Sequence, residues 1–386
     1  MRKLAGYLTG ILIGSSSVST FSWAQTVSQD ALGFSAGVQH TYDSNFLRSP
    51  EEAEEQITRA GAGIRFNKQI SAQKIALSVN ASQYRYNERD ELDGSAIEGK
   101  ASWRSQFTSN FSTQLDFLRE ETPVDKLEFV GKDLVAREDA NTRLSLGDSK
   151  RFGLILGVHQ MDTSHSNDER ASMDFQDQDF FSEVRYRFAS SWVGLRYREG
   201  DRSYETPSLI LGDLDFDYRQ VELETEWTLT PKTKLTGLVG YFDRAAKSEA
   251  ANGNDGEGSL ASLNLEWAIT EKLISELTYR FNQPAIGETS DAPSEVSDTA
   301  LTFQWQFSPK VKIGFGGSYA ELDYEESAVV TERVERNITI TPLLVSWSYS
   351  EAILVRLSSQ WVDRQSPIYQ RDYDGYSATL GLAVQF

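Results

Sequence analysis

The stretch from Tyr376 to Phe386 restricts this chain more than any other. Its even positions read Tyr376, Ala378, Leu380, Leu382, Val384 and Phe386, and its odd positions read Ser377, Thr379, Gly381, Ala383 and Gln385. A period of two is the strand signal. One face is apolar and aromatic, the other small or polar, and the last residue is a phenylalanine. A soluble protein rarely uses its last strand this way. In bacterial outer-membrane barrels the closing strand must meet lipid on one side and a polar lumen on the other, which demands this pattern.

The same unit recurs from about Leu32 onward. Thr299, Leu301, Phe303, Trp305 and Phe307 share one side of a run, and Val221, Leu223, Thr225, Trp227 and Leu229 share another against Glu222, Glu224, Glu226 and Thr228. Ile353, Val355, Leu357, Ser359 and Trp361 alternate with Leu354, Arg356, Ser358 and Gln360. Connections alternate in length. Short ones fall near residues 70–72, 109–110, 150–151, 190–191, 231–233, 270–271, 308–309 and 350–351. Long polar ones fall near 44–55, 88–95, 122–136, 163–174, 200–212, 246–258, 283–296, 325–333 and 365–372. Eight short and nine long links predict an all-β, transmembrane, antiparallel up-and-down barrel of about 18 strands, with both ends of the barrel chain in the periplasm. Aromatics gather beside the short turns (Phe66, Phe107, Phe111, Phe152, Phe188, Trp192, Trp227, Trp267, Phe307, Tyr349 and Phe386), where an interfacial girdle belongs. Two strands are irregular. In 333–349 the apolar phase changes at Pro342, which predicts a bulge because proline cannot donate to the ladder. Residues 137–149 alternate weakly, with Leu144 and Leu146 marking the lipid face.

The amino end reads as an export signal. Arg2 and Lys3 precede an apolar run to about Gly14, and Ser22-Trp23-Ala24 is a small-x-small cleavage pattern. The expected division is a signal peptide over 1–24, a short periplasmic segment over 25–31 and the barrel over 32–386, placed in the outer membrane of a Gram-negative bacterium. The absence of cysteine excludes disulfides and a lipoprotein anchor. A mean hydropathy of -0.45 does not exclude a membrane barrel, because only alternate residues face lipid. The net charge of -19 argues against nucleic acid as a partner.

Projected inward, the alternation nominates a lumen lining of Arg59, Arg65, Arg104, Arg185, Arg187, Arg196, Arg198, Glu222, Glu224, Glu226, Arg280 and Arg356. Two readings compete: mutual neutralisation that stiffens the wall, or a hydrated conduit whose charges touch a passing solute. Eighteen strands are wide enough for an aqueous channel. Enzyme chemistry is not expected. His40, His159 and His165 have serines or acids nearby in sequence, which is not triad geometry. There is no paired-histidine metal spacing and no phosphate-binding glycine motif, so neither a metal nor another cofactor is expected. The loop from Asn252 to Glu257 is a loose Ca²⁺ pattern, read more simply as solvated acid. Acidic runs at Glu51, Glu52, Glu54 and Glu55, at Glu88, Asp90, Glu91 and Asp93, and at Glu325 and Glu326 read first as solvated loop charge, with bridging to outer-membrane lipid and lipopolysaccharide through divalent cations as an added role.

Several segments carry a family resemblance: residues 42–48 (YDSNFLR), 63–74 (GIRFNKQISAQK), 84–86 (YRY), Leu92-Asp93, 227–232 (WTLTPK) and the ending from Tyr373 to Phe386. Together they resemble the EpsL-type outer-membrane β-barrel family, associated with exopolysaccharide biosynthesis and export. The resemblance implies a conduit for a secreted polysaccharide, served by periplasmic and inner-membrane export machinery. It supplies no catalytic residues. Tyr84, Phe181 and Trp192 would then be candidates for stacking on sugar rings. The rival function is a general diffusion porin for small solutes, which a long loop folded into the bore would favour, 122–136 being the candidate.

Overall fold

The computed structural model describes residues 31–147, 150–208, 212–248, 254–288, 293–326 and 330–386. The predicted signal peptide (1–24) and residues 25–30 lie outside the described residues, as do the first two residues of the loose Ca²⁺ pattern (252–253). The strands are β1 (Ala31–Asp43), β2 (Glu55–Ile70), β3 (Gln73–Tyr86), β4 (Gly94–Thr108), β5 (Phe111–Pro123), β6 (Leu134–Leu146), β7 (Phe152–His165), β8 (Phe175–Phe188) and β9 (Ser191–Tyr204). They continue as β10 (Phe216–Thr230), β11 (Thr233–Ala246), β12 (Gly256–Ala268), β13 (Leu273–Asn282), β14 (Glu295–Ser308), β15 (Val311–Tyr324), β16 (Arg333–Ser348), β17 (Ile353–Gln365) and β18 (Tyr373–Gln385).

Each strand pairs antiparallel with its chain neighbours, and β1 also pairs with β18, so the 18-stranded sheet closes. The seam runs from Ser35 opposite Gln385 to Asp43 opposite Ser377. Phe386 extends it, exchanging backbone hydrogen bonds with Phe34 at 2.9 and 3.1 Å. Closure leaves no unpaired edge, which the bilayer requires.

The apolar face of every strand points outward. Leu32, Val79, Phe117, Val158, Val184, Leu195, Leu223, Val239, Leu301, Phe315, Leu357 and Leu380 are all exposed. In water such a belt would be a liability; against acyl chains it is the correct surface. Toward the short turns it ends in aromatic contacts. Phe107 stacks on Phe111 at 5.3 Å, Trp305 meets Phe307 edge-on at 5.1 Å, and Trp347 meets Tyr349 at 5.4 Å. Trp192 does not join this girdle. It sits on the inward face of β9, buried beneath the Arg185 guanidinium at 3.6 Å, because even positions of β9 point inward. Residues 134–146 form a full strand despite their weak alternation. At Pro342 the register slips: Ile340 faces Trp361 and Leu343 faces Ser359, so two residues oppose one. That bulge is what keeps Ile340 and Leu343 on the same outer face.

Candidate functional site

All twelve nominated lumen residues fall on the face opposite the apolar belt, but their surroundings differ. On β8–β10 the charges are packed together. Arg196 is 3% exposed and reaches three carboxylates, with Nη1 donating to Glu222 Oε2 at 3.1 Å and Nη2 to Glu183 Oε2 and Glu224 Oε2 at 2.9 Å each. Arg185 donates from Nε to Glu183 Oε1 at 2.7 Å. Register produces this grouping, since Glu183, Arg196 and Glu222 stand directly opposite one another on three adjacent strands. Opposite charges on cross-strand pairs are mutually stabilising.

One step toward the external end, Arg198 donates to Asp179 Oδ2 at 2.7 Å, and His159 lies between Asp179 (2.9 Å) and Asp139 (3.3 Å). Arg202 holds Asp177 at 2.8 Å and pairs with Glu288 from the β13–β14 connection. Tyr218 crosses Gly200 to donate to Asp177 Oδ1 at 2.8 Å. A Cβ at Gly200 would lie 2.3 Å from the Gln178 carbonyl oxygen and 2.9 Å from the Tyr218 ring, so the crossing needs glycine there. His159, Asp177 and Asp179 approach closely enough to share a cation. Arg198 and Arg202 already bond the carboxylates of Asp179 and Asp177.

The other nominated residues are more open. Glu226 pairs with Lys234 at 3.1 Å near the periplasmic end. Arg59 lies over the Tyr84 ring at 5.1 Å. Arg65, Arg104 and Arg280 form no ion pair among the described residues, and Arg104 and Arg280 are exposed. Arg187 and Arg356 are half-buried on β8 and β17. The inward middle of β12–β18 is small and hydroxyl-rich, with Ser262, Thr278, Thr302, Ser318, Thr339, Ser358 and Thr379. One sector of the lumen is therefore a ledge of packed charges, and β12–β18 carry hydroxyls with more scattered charges such as Glu276, Arg280 and Arg356 among them.

The three aromatics considered for sugar stacking are not available as platforms. Phe181 is 1% exposed and ringed by Arg143, Arg196 and Arg198 at 5.1–5.7 Å. Tyr84 and Trp192 are likewise buried, under Arg59 and Arg185. Cation–π contact with guanidinium occupies the faces a sugar would need. His159 and His165 form no triad: carboxylates take both nitrogens of His159, and Asp174 and Arg170 take those of His165.

The external mouth holds residues that periodicity did not mark. The β5–β6 connection (124–133) folds onto other loops and strand ends. Lys126 sits 5.9 Å above the Phe46 ring and donates to the Gly131 carbonyl at 2.7 Å. Lys132 donates to the Asp93 carbonyl. Arg170 ties Glu128 at 3.1 Å and Asp133 at 3.4 Å. Asp125 lies in the electrostatic reach of Arg48 and of Arg364 on β17, far around the ring from β5. Burial pushes the Asp125 carboxyl up, against the pull of Arg48, and pushes the Lys126 ammonium down. The Asp93 carboxyl is held low by the Tyr86 backbone N–H and by Arg85. Beside this loop, Glu335 is fully buried and accepts from Arg333 (2.7 Å), Arg371 (2.8 Å), Arg364 (3.1 Å) and Ser366 (2.9 Å). A second inward cluster joins Tyr204, Leu214 and Phe216 to Ala285 of the β13–β14 connection.

No family model and no curated protein sequence matches the chain. Solved structures do match in shape. OccK2 (OpdF) of Pseudomonas aeruginosa, in complex with glucuronate, has a TM-score of 0.52 at 13% identity, covering 92% of this chain and 96% of that one. The outer membrane protein OpdK of the same organism gives 0.50 at 9% identity, covering 92% and 99%, and its OprD gives 0.50 at 10%, covering 94% and 97%. These matches overturn the EpsL-type assignment, since the structural relatives are OccK, OpdK and OprD proteins. The segment 42–48 that suggested it has a local explanation: Asp43 grips Arg48 at 2.7 Å, and Asn45 bonds the Ser49 and Asp374 carbonyls at 2.7 and 2.9 Å, fixing the turn after β1. What closure, belt and likeness establish together is the fold and its place: the chain is an eighteen-stranded β-barrel of the Gram-negative outer membrane.

Proposed function

We propose that this barrel is a passive diffusion channel for small hydrophilic solutes and not a polysaccharide exporter or an enzyme. The observation that carries the reading is the β5–β6 connection folded onto the mouth, with Asp125 in reach of Arg48 and Arg364. A bore for a polymer needs an unobstructed exit, whereas a narrowed mouth sets a size limit on small solutes. The wall supports the same reading. Its charges are mostly paired with one another on the ledge, and β12–β18 offer hydroxyls, so water and small polar molecules are accommodated without a strong trap; a conduit must bind weakly enough to release. Small carboxylates are the first solutes to test, because OccK2 was solved with glucuronate and OpdK with vanillate and because Arg104 and Arg280 are exposed on the inward face.

The test is single-channel recording in a planar bilayer together with liposome swelling. Discrete ohmic steps are expected, with swelling by monosaccharides and small organic acids that falls off for oligosaccharides. Removing residues 126–131 should raise conductance severalfold. A barrel that gives no steps with or without that loop would refute the proposal.

A further inference from the structure

Above the apolar belt, two places on the outside of the barrel carry the same arrangement of three side chains. On β9 the Tyr197 hydroxyl donates to Glu199 Oε2 at 3.0 Å, and from β10 Arg219 Nε donates to Glu199 Oε1 at 3.2 Å. On β15 the Tyr319 hydroxyl donates to Glu321 Oε2 at 2.9 Å, and from β16 Arg336 Nε donates to the same Oε2 at 3.1 Å. Cross-strand pairing sets both, with Arg219 opposite Glu199 and Arg336 opposite Glu321. Each arginine is the fourth residue of its strand, counted from the long external connection. All six side chains share the outer face with Leu195, Leu223 and Phe315 below them.

The external height matters. A cation on the lipid face costs about 2–4 kcal/mol at the bilayer midplane and about 0–1 near the interface, so these arginines stand at headgroup level. Their side chains are 68% and 55% exposed. An ion pair so open contributes little to stability, so the pairing to glutamate does not by itself account for a guanidinium here. Glutamate engages Nε, and the Arg219 Nη atoms have no protein hydrogen bond among the described residues. Tyr197 and Tyr319 stand on the outer face between the belt and these glutamates, with the hydroxyls bonded toward the external end, the amphipathic placement typical of interfacial aromatics.

We propose that these two stations are docking points for the phosphorylated sugar headgroup of an outer-leaflet glycolipid of the lipopolysaccharide type. The guanidinium Nη atoms would take a phosphate by the paired geometry that favours arginine over lysine, and the tyrosine ring would cover the adjoining acyl–sugar boundary. Asp217, which pairs with Lys247 at 3.5 Å, and Asp243 share the outer rim with Arg219, so divalent cations are needed to screen the remaining negative charge.

The test titrates the folded, detergent-solubilised barrel by native mass spectrometry in Mg²⁺ with bisphosphorylated lipid A, its monophosphorylated form and phosphatidylglycerol. Wild type should hold the bisphosphorylated glycolipid most tightly. R219Q/R336Q should weaken it about tenfold per arginine, while R219K/R336K should lose less and the barrel should keep its heat-modifiable migration. Equal affinity in wild type and a folded R219Q/R336Q variant would overturn the proposal. So would phosphatidylglycerol binding as tightly as the glycolipid, or absence of glycolipid binding with a changed oligomeric state in the variant, which would assign this face to a second copy of the chain.

Discussion

At the scale of single residues, Arg196 decides whether the ledge holds together. It bonds all three of Glu183, Glu222 and Glu224, all of them buried, while Arg185 reaches Glu183 from the side. Arg196→Ala would take the shared cation from Glu222 and Glu224 and leave Glu183 to Arg185, and breaking a buried pair this way costs about 3–5 kcal/mol. The expected result is a clear drop in the temperature at which the barrel loses its folded migration on gels. Adding Glu183→Gln and Glu224→Gln should recover part of that drop, because the repulsion goes with the charge. Which side chains point inward was legible in the sequence, since a period of two needs no knowledge of neighbours. Who meets whom was not. Arg196 sits among three acids because of register across three strands, and Phe181 lies under three guanidinium groups because its ring crosses Gly157, where a Cβ would lie 2.2 Å from it. Neither relation has a trace in alternation.

Among elements, the mouth loop and the β16 bulge behave oppositely toward sequence reasoning. Loop 124–133 could be named as a candidate for folding inward from its length, but its partners (Arg48, Phe46, Arg170) come from other connections without periodicity. Its Asp125 gives a pH expectation. Burial raises the folded-state pKa, so the folded loop binds the proton more tightly than the released loop does. Acid therefore favours the folded-in loop; the gain is complete below the ordinary value of about 3.9 and is lost as pH rises through the raised value. Conductance should fall on acidification, and Asp125→Asn should flatten that part of the profile. The bulge was visible because proline coincides with a change of phase. Deleting Pro342 should give a regular strand with Ile340 and Leu343 still outward, and the protein should fold. Deleting Thr302 from the regular β14 would instead put Leu301 and Phe303 on opposite faces, and the heat-modifiable species should vanish.

For the whole molecule, the dominant fact is that its largest apolar surface is on the outside. Among the described residues, buried apolar side chains gather in two small clusters, both at the mouth, and composition alone, with 25% charged residues, points to a soluble protein. Strand count and loop alternation were legible because they depend on local pattern. The family likeness was misleading because short segments such as 42–48 answer to the local geometry of the turn after β1. One further consequence lies in the seam. β18 runs beside β1 with Gln385 facing Ser35, so the ring has no first strand in any energetic sense. Splicing tail to head through a brief linker and reopening the polypeptide within an outer hairpin should yield a permutant with every neighbour relation intact, and its assembly would reveal whether insertion depends on the order of synthesis or only on the finished circle.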